Sequence, residues 1–389
     1  MMKSSFQPPH RILMGPGPSP VHPRVLEALA RPTIGHLDPE FIRLMDDIKS
    51  GLRDVFRTEN EFTLPISGPG SAGQEACVVN LLEPGDTFVA CVNGVFGERM
   101  ALMAERAGAI VLRLAQPWGR GVDPEALREM LKAHPETKLV GFVHAETSTG
   151  ALSDAKTLAA VARENDCLVL MDTVTSLGGV QVEVDDWGID ACYSGTQKCL
   201  SCPPGLSPVT FGPKARVAIT GRKTPVRSWF LDMNLLIPYW GSSAKRSYHH
   251  TAPVNALYGL HEALLLVAEE GLPQRWERHL RVHRAMVAGI EAMGLRMAVP
   301  AAERLPSLNT VEVPAGVDEA MVRRQLLDQY SLEIGAGLGP MAGKIWRIGL
   351  MGEGCTEHNL MLLLDALGQT LADAGVKVDR AGARAAVEA

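Results

Sequence analysis

The stretch Leu139–Asp172, LVGFVHAETSTGALSDAKTLAAVARENDCLVLMD, decides the fold. Its two ends, LVGFVH and LVLMD, are apolar without the in–out alternation of a half-wetted sheet, so they read as strands 139–144 and 167–172 covered on both faces. A helix, 154–165, lies between them. The same rhythm runs upstream through strand 109–114 and helix 124–133, and this βα repetition predicts an α/β fold with a mostly parallel central sheet. Ligands of such folds collect beyond the carboxyl ends of the strands.

Two features fall at those ends. HAETSTG (His144–Gly150) carries the hydroxyls of Thr147, Ser148 and Thr149, and Asp172 terminates a buried apolar strand. An acid there must find a partner or bear a heavy desolvation cost, which points to function, with a helix cap over Thr173–Leu177 as the alternative. Beyond it, DACYSGTQKCLSCPPG (Asp190–Gly205) brings Lys198 off a short apolar run, Ala191–Tyr193, onto a turn closed by two prolines and a glycine. An amine held on rigid scaffold suits imine chemistry beside an aromatic cofactor.

Toward the N-terminus, FTLPISGPGSAGQEACVVNLL (Phe62–Leu82) changes from strand to helix at SGPGS, with the helix beginning at Ser71 and Glu75 placed for its first turn. A strand, a glycine turn and a helix N-terminus make an anion site, although a tight connection serving only the fold is an equal alternative. It lacks the GKS/GKT of a P-loop and the GxGxxG of a dinucleotide fold. Phe96 sits between glycines in NGVFGERM, read as a strand-end loop, either as a plug or as a cover for a ligand. ILMGPGPSP (Ile12–Pro20) is an extended, conformationally fixed arm.

Downstream, 206–212 returns to strand, 222–247 is irregular and aromatic, and 253–270 is helical. From Gly271-Leu272-Pro273 onward a smaller α+β domain follows: helices 274–293, 318–329 and 356–372, strands near 309–313 and 333–335 and at 345–349, and an Ala-rich tail. The expected organisation is an arm at 1–20, a large domain at 21–272 and a small C-terminal domain at 273–389.

Composition narrows the class. The 389 residues are 46% hydrophobic and 21% charged, with a net charge of −6 and basic residues scattered among acids, which argues against a nucleic-acid partner. No secretory leader and no uninterrupted apolar span is read, so a soluble, cytoplasmic protein without a membrane partner is expected. Seven cysteines are spread with only Cys199-x-x-Cys202 closely spaced. No second pair follows it, and His249-His250 has no further ligand at useful spacing, so no metal site is expected.

With Asp172, Lys198 and SGPGS in view, the chain resembles the class V branch of fold-type I pyridoxal-phosphate aminotransferases, in particular the alanine–glyoxylate and serine–glyoxylate group. The likeness runs from MGPGPSP at Met14 through YSGTQK (Tyr193–Lys198) and YHHTAP (Tyr248–Pro253) to GLGPMAGKIWRIGLMG (Gly337–Gly352). It implies pyridoxal 5′-phosphate as cofactor, Lys198 as the Schiff-base lysine and Asp172 as partner of the pyridine nitrogen. It further implies Phe96 stacked on the cofactor ring, and Gly70, Ser71 and Gln197 at the phosphate. Tyr248 and Thr251 would reach the phosphate of the other subunit's cofactor in a homodimer. Thr147, Arg347 and Gly17 would form the substrate side.

The resulting expectation is transfer of an amino group from alanine or serine to glyoxylate or another small 2-oxo acid, since no second arginine is evident for an acidic side chain. The rivals are another class V enzyme, such as a kynurenine- or aspartate-type transaminase, a lyase or a desulfurase, and a non-catalytic dimeric binding protein of the same fold. Against the desulfurase stands the absence of a mobile cysteine loop. Against the silent scaffold stands the joint retention of Lys198, Asp172 and Arg347.

Overall fold

The computed structural model describes residues 4–241 and 246–388. Seven strands form the central sheet: β1 (Phe62–Ser67), β2 (Thr87–Val92), β3 (Ile110–Ala115), β4 (Thr137–Val143), β5 (Leu168–Asp172), β6 (Ala191–Tyr193) and β7 (Leu206–Phe211). Their spatial order is β1-β7-β6-β5-β4-β2-β3. Only β7 runs antiparallel to its neighbours; the pairs from β6 to β3 are all parallel. Every position of β2 and β7 is buried, which is why these strands show no alternation.

The crossover helices begin where the sequence supplies caps. Asp123 accepts from Glu125 N ahead of Pro124–Ala133, and Asp154 accepts from Thr157 N ahead of Ala155–Glu164. The connection after β2 leads outward to β3, whereas the one after β4 leads the opposite way to β5. The order therefore reverses between β2 and β4, and a crevice opens beyond their carboxyl ends.

A second, three-stranded antiparallel sheet has Ile345–Gly349 between Leu308–Glu312 and Gly335–Ala336. It shares an apolar cluster with the helices Leu272–Ala292, Glu319–Tyr330 and Glu357–Asp373, among them Met286, Leu326, Trp346 and Leu363. The N-terminal arm is built into this layer. Ile12–Leu13 pairs in parallel with Leu332–Glu333, Met14 is fully buried, and Gly349 N donates to the Met14 carbonyl at 2.7 Å.

Several sequence expectations change. The region 222–247 contains a helix, Met233–Trp240, capped by Asp232; Pro238 inside it and the lack of a polar face conceal it. The helix after Gly271 begins at Leu272, with Pro273 in its first turn. Phe96 lies in the first turn of the helix Val95–Ala107 and not in a loop. The helix after SGPGS begins at Gly70, and Glu75 is exposed beyond its first turn. The Ala-rich tail forms a helix, Arg380–Glu388, with Ala383 buried. It comes close to Leu272–Ala292 at Gly289, where an added Cβ would stand 3.2 Å from Val387 and 2.6 Å from Leu364. No helix among the described residues is long and apolar enough to cross a membrane.

Candidate active site

Five strands deliver their carboxyl ends to one place. Asp172 is the last residue of β5, and the run from Ser194 to Lys198 follows β6. Glu146 and Thr147 follow β4, Phe96 follows β2, and Gly70 follows β1. The turn carrying Lys198 is held from several sides. Thr196 Oγ1 donates to the Pro203 carbonyl at 2.7 Å, Ser19 Oγ to the Lys198 carbonyl at 2.6 Å, and Ser19 N to the Gln197 carbonyl at 2.8 Å.

The Lys198 amine is buried and donates to the Pro16 carbonyl. Burial drags its pKa down to about 8, and the Arg347 charge pushes the same way. Gly17 has φ 109°, and a Cβ there would lie 2.6 Å from Lys198 Nζ, so both conformation and space demand glycine.

Asp172 is 3% exposed. Its carboxylate accepts from Tyr193 OH at 2.5 Å and from Val174 N at 2.8 Å. Burial lifts its pKa to about 6; the Tyr193 and Val174 bonds, then the charges of Lys198 and Arg99, oppose the rise. The capping alternative is thus real in part, since Val174 N is satisfied by the carboxylate, while the second oxygen serves Tyr193. Tyr193, inside the YSGTQK motif, was not singled out from sequence; its register opposite Asp172 is what gives it away.

Arg347 is 8% exposed, and its Nε and Nη1 donate to backbone carbonyls, Ala336 at 2.6 Å and Thr147 at 3.2 Å. Among the described residues it forms no salt bridge. Burial lowers its pKa to about 10, and the charge of Glu146 opposes the shift. The Thr147 hydroxyl bonds the Thr175 hydroxyl, so it is the backbone of Thr147 that meets the arginine.

Glu146 is a second residue that sequence reasoning passed over. It is fully buried, and its carboxylate accepts from Phe96 N at 3.2 Å, Gly97 N at 3.4 Å and the Ser148 hydroxyl at 2.5 Å. It therefore caps the helix that presents Phe96. Burial raises its pKa to about 7 against the Ser148 bonds.

Gly70 is buried at the first position of the helix Gly70–Leu81, whose N-terminus has no side-chain cap. Ser71 Oγ accepts from Arg99 at 3.1 Å. Gln197 Oε1 is buried without a hydrogen-bond partner among the described residues. Tyr248 and Thr251 stand apart: both are exposed and 3.4 Å from each other at their hydroxyls, on a segment whose His250 bonds Ser67 at the end of β1. All seven cysteines are free and buried, and no cluster of three or more His, Cys, Asp or Glu suited to a metal occurs among the described residues.

A buried lysine of lowered pKa, a carboxylate at a strand end and an open helix N-terminus define an enzyme of the aldehyde-cofactor class. The family model for class-V aminotransferases matches residues 15–346, and the chain belongs to that family. It is 42% identical to alanine–glyoxylate aminotransferase of Felis catus, over 93% of this chain and 88% of that one. It is 40% identical to (S)-ureidoglycine–glyoxylate transaminase of Bacillus subtilis, over 96% and 94%. The crystal structure of an alanine–glyoxylate aminotransferase from Nostoc sp. superposes with a TM-score of 0.93 at 46% identity, covering 95% of this chain and 98% of that one. The protein is a pyridoxal-phosphate-dependent aminotransferase of fold type I. The residues present fit that cofactor: the uncapped helix N-terminus suits a phosphate, and the Lys198 amine suits an aldehyde.

Proposed function

We propose that the enzyme transfers an amino group from alanine or serine to glyoxylate or another small 2-oxo acid, working as a homodimer. The observation that carries the substrate class is Arg347. It is a buried guanidinium bonded only to carbonyls among the described residues, beside the Lys198 amine whose pKa its charge depresses. A cation so placed has no bonded counter-charge, Glu146 acting on it only at a distance, and a substrate carboxylate supplies one that its planar fork matches. The two groups of relatives share glyoxylate in their names and differ in the donor. Glyoxylate is therefore the better supported acceptor, and (S)-ureidoglycine joins alanine and serine as a donor to be tested.

When bound, the cofactor supplies a protonated pyridine that draws electron density from the substrate Cα. Asp172 holds the proton on the pyridine nitrogen, and Tyr193 holds Asp172. Lys198 moves the proton between the substrate Cα and the cofactor C4′, a role in which an amine of pKa near 8 is effective at neutral pH. Phe96, fixed by Glu146, covers the ring, and Gly70, Ser71 and Gln197 bind the phosphate. The exposed Tyr248 and Thr251 serve the partner subunit's cofactor, and Gly17 shapes the substrate side next to Lys198. The desulfurase reading is disfavoured by Cys199, whose thiol is buried, raised by that burial to about 11 and directed at the Thr175 carbonyl.

Single-turnover half-reactions with alanine, serine, (S)-ureidoglycine, aspartate and kynurenine, followed by glyoxylate or pyruvate, test the assignment. Aspartate or kynurenine as the fastest donor would overturn it.

A further inference from the structure

Arg99 is oddly placed for a cation. Its Nη1 donates to Ser71 Oγ at 3.1 Å, and its guanidinium carbon stands 4.9 Å from the centre of the Phe96 ring. Ser71 belongs to the first turn of the helix Gly70–Leu81, which has neither a side-chain cap nor an acidic residue in that turn. The aligned peptide dipoles already make that end positive, so a neighbouring arginine is unfavourable where an anion would be favoured. A carboxylate could offset the repulsion, as Glu98 and Glu105 do for Arg113 and Glu303 does for Arg120. Among the described residues Arg99 has no such ion pair, and Asp172 feels its charge without bonding it.

Two positive features set side by side favour an anion between them. We propose that Arg99 is a direct ligand of the cofactor's 5′-phosphate, reaching from the neighbouring helix over Ser71, whose hydroxyl is uncharged. A guanidinium offers a phosphate two parallel donors, and the Ser71 bond together with the Phe96 ring holds the fork in place. The same arginine thus ties the ring-covering residue to the phosphate turn. This rests on the reading of Gly70 and Ser71 as the phosphate site.

Cofactor-depleted wild-type protein, Arg99→Gln and Arg99→Lys are each titrated with pyridoxal phosphate and with pyridoxal, which lacks the phosphate. Wild type should prefer pyridoxal phosphate strongly. Arg99→Gln should weaken pyridoxal phosphate by about tenfold or more, the scale of a lost charged hydrogen bond, and leave pyridoxal within about twofold. Arg99→Lys should recover part of the loss, and the ³¹P resonance of the bound cofactor should move in Arg99→Gln. Equal weakening of both ligands would place the effect on Phe96 and the fold and overturn the proposal, as would unchanged pyridoxal phosphate affinity. A wild type with no preference for the phosphorylated ligand would instead overturn the assignment of Gly70 and Ser71 to the phosphate.

Discussion

Asp172 and Tyr193 are register partners on adjacent parallel strands, and the Tyr193 hydroxyl donates to the Asp172 carboxylate at 2.5 Å. The pairing gives the strand-end acid a donor that favours its ionised form against burial. Tyr193→Phe should therefore slow both half-reactions, by about tenfold if the bond is worth 1–1.5 kcal/mol. Asp172→Asn should lose most of its turnover while still binding cofactor. Cofactor titration and stopped-flow half-reactions on the two variants check this, and near-normal turnover of Asp172→Asn would reduce Asp172 to a cap for Val174.

The same acid carries a pH signature. Burial lifts its pKa in the folded protein to about 6 from the ordinary aspartate value of 3.8, so between these values the folded state binds more protons than the unfolded one. Stability contributed through Asp172 is then greatest at low pH and declines as pH rises through that window, by about 3 kcal/mol at most. Denaturant unfolding of cofactor-free wild type and Asp172→Asn at pH 4, 5, 6 and 7 should show the variant gaining on the wild type up to pH 6 and then running level. A difference independent of pH would contradict the shift.

Lys198→Ala should remain folded and lose covalent cofactor. Borohydride reduction of the wild type followed by peptide mapping should label Lys198, and labelling of any other lysine would remove it from its role. Gly17→Ala places a methyl group against the amine and forces φ 109° on a residue that resists it. Its expected result is slower cofactor capture and a large drop in turnover, read from absorbance after adding pyridoxal phosphate to the stripped protein.

On the proposed assignment, in which both bring the same carboxylate to the same fork, Arg347→Lys should raise the Michaelis constants of donor and acceptor together. Thr147→Ala should be much milder. The contact from Arg347 goes to the Thr147 carbonyl, which alanine keeps, and only the hydroxyl bond to Thr175 is lost. Steady-state kinetics with alanine and serine against glyoxylate and pyruvate decide the point; unchanged constants in Arg347→Lys would detach it from the substrate.

Tyr248, 62% exposed, and Thr251 sit on a segment flanked by exposed Trp229 and Phe230. Trp229 stacks on His249 at 4.5 Å, giving a broad aromatic surface. If that surface meets a second copy, sedimentation should show a dimer at low concentration. Tyr248→Phe and Thr251→Ala should then weaken cofactor binding without dissociating it. A fully active monomer would falsify the shared-site assignment.

The βα rhythm, the helix 124–133 and the strands ending in Asp172 and Tyr193 were legible because burial on both faces leaves an unbroken apolar run and because Asp and Pro announce helix starts. Glu146 and Arg99 were not. Each acquires its meaning from a partner far along the chain, Glu146 from the amides of Phe96 and Gly97, Arg99 from Ser71. Met233–Trp240 was hidden for a different reason: an apolar helix with an internal proline shows neither the period nor the composition of one.

The N-terminal arm has a mechanical consequence. It enters the C-terminal layer as the strand Ile12–Leu13, bonds Gly349 through Met14, and leaves by way of Pro16 and Ser19, both of which grip Lys198. Gly349 ends the strand that carries Arg347. One short lever thus joins the arginine's strand to the amine, and a shift of either is felt by the other over a few covalent bonds and two hydrogen bonds. A chain shortened to begin at Arg11 keeps the lever. A chain begun at Ser19 lacks it, and its lysine is freed from the carbonyl that now aims it.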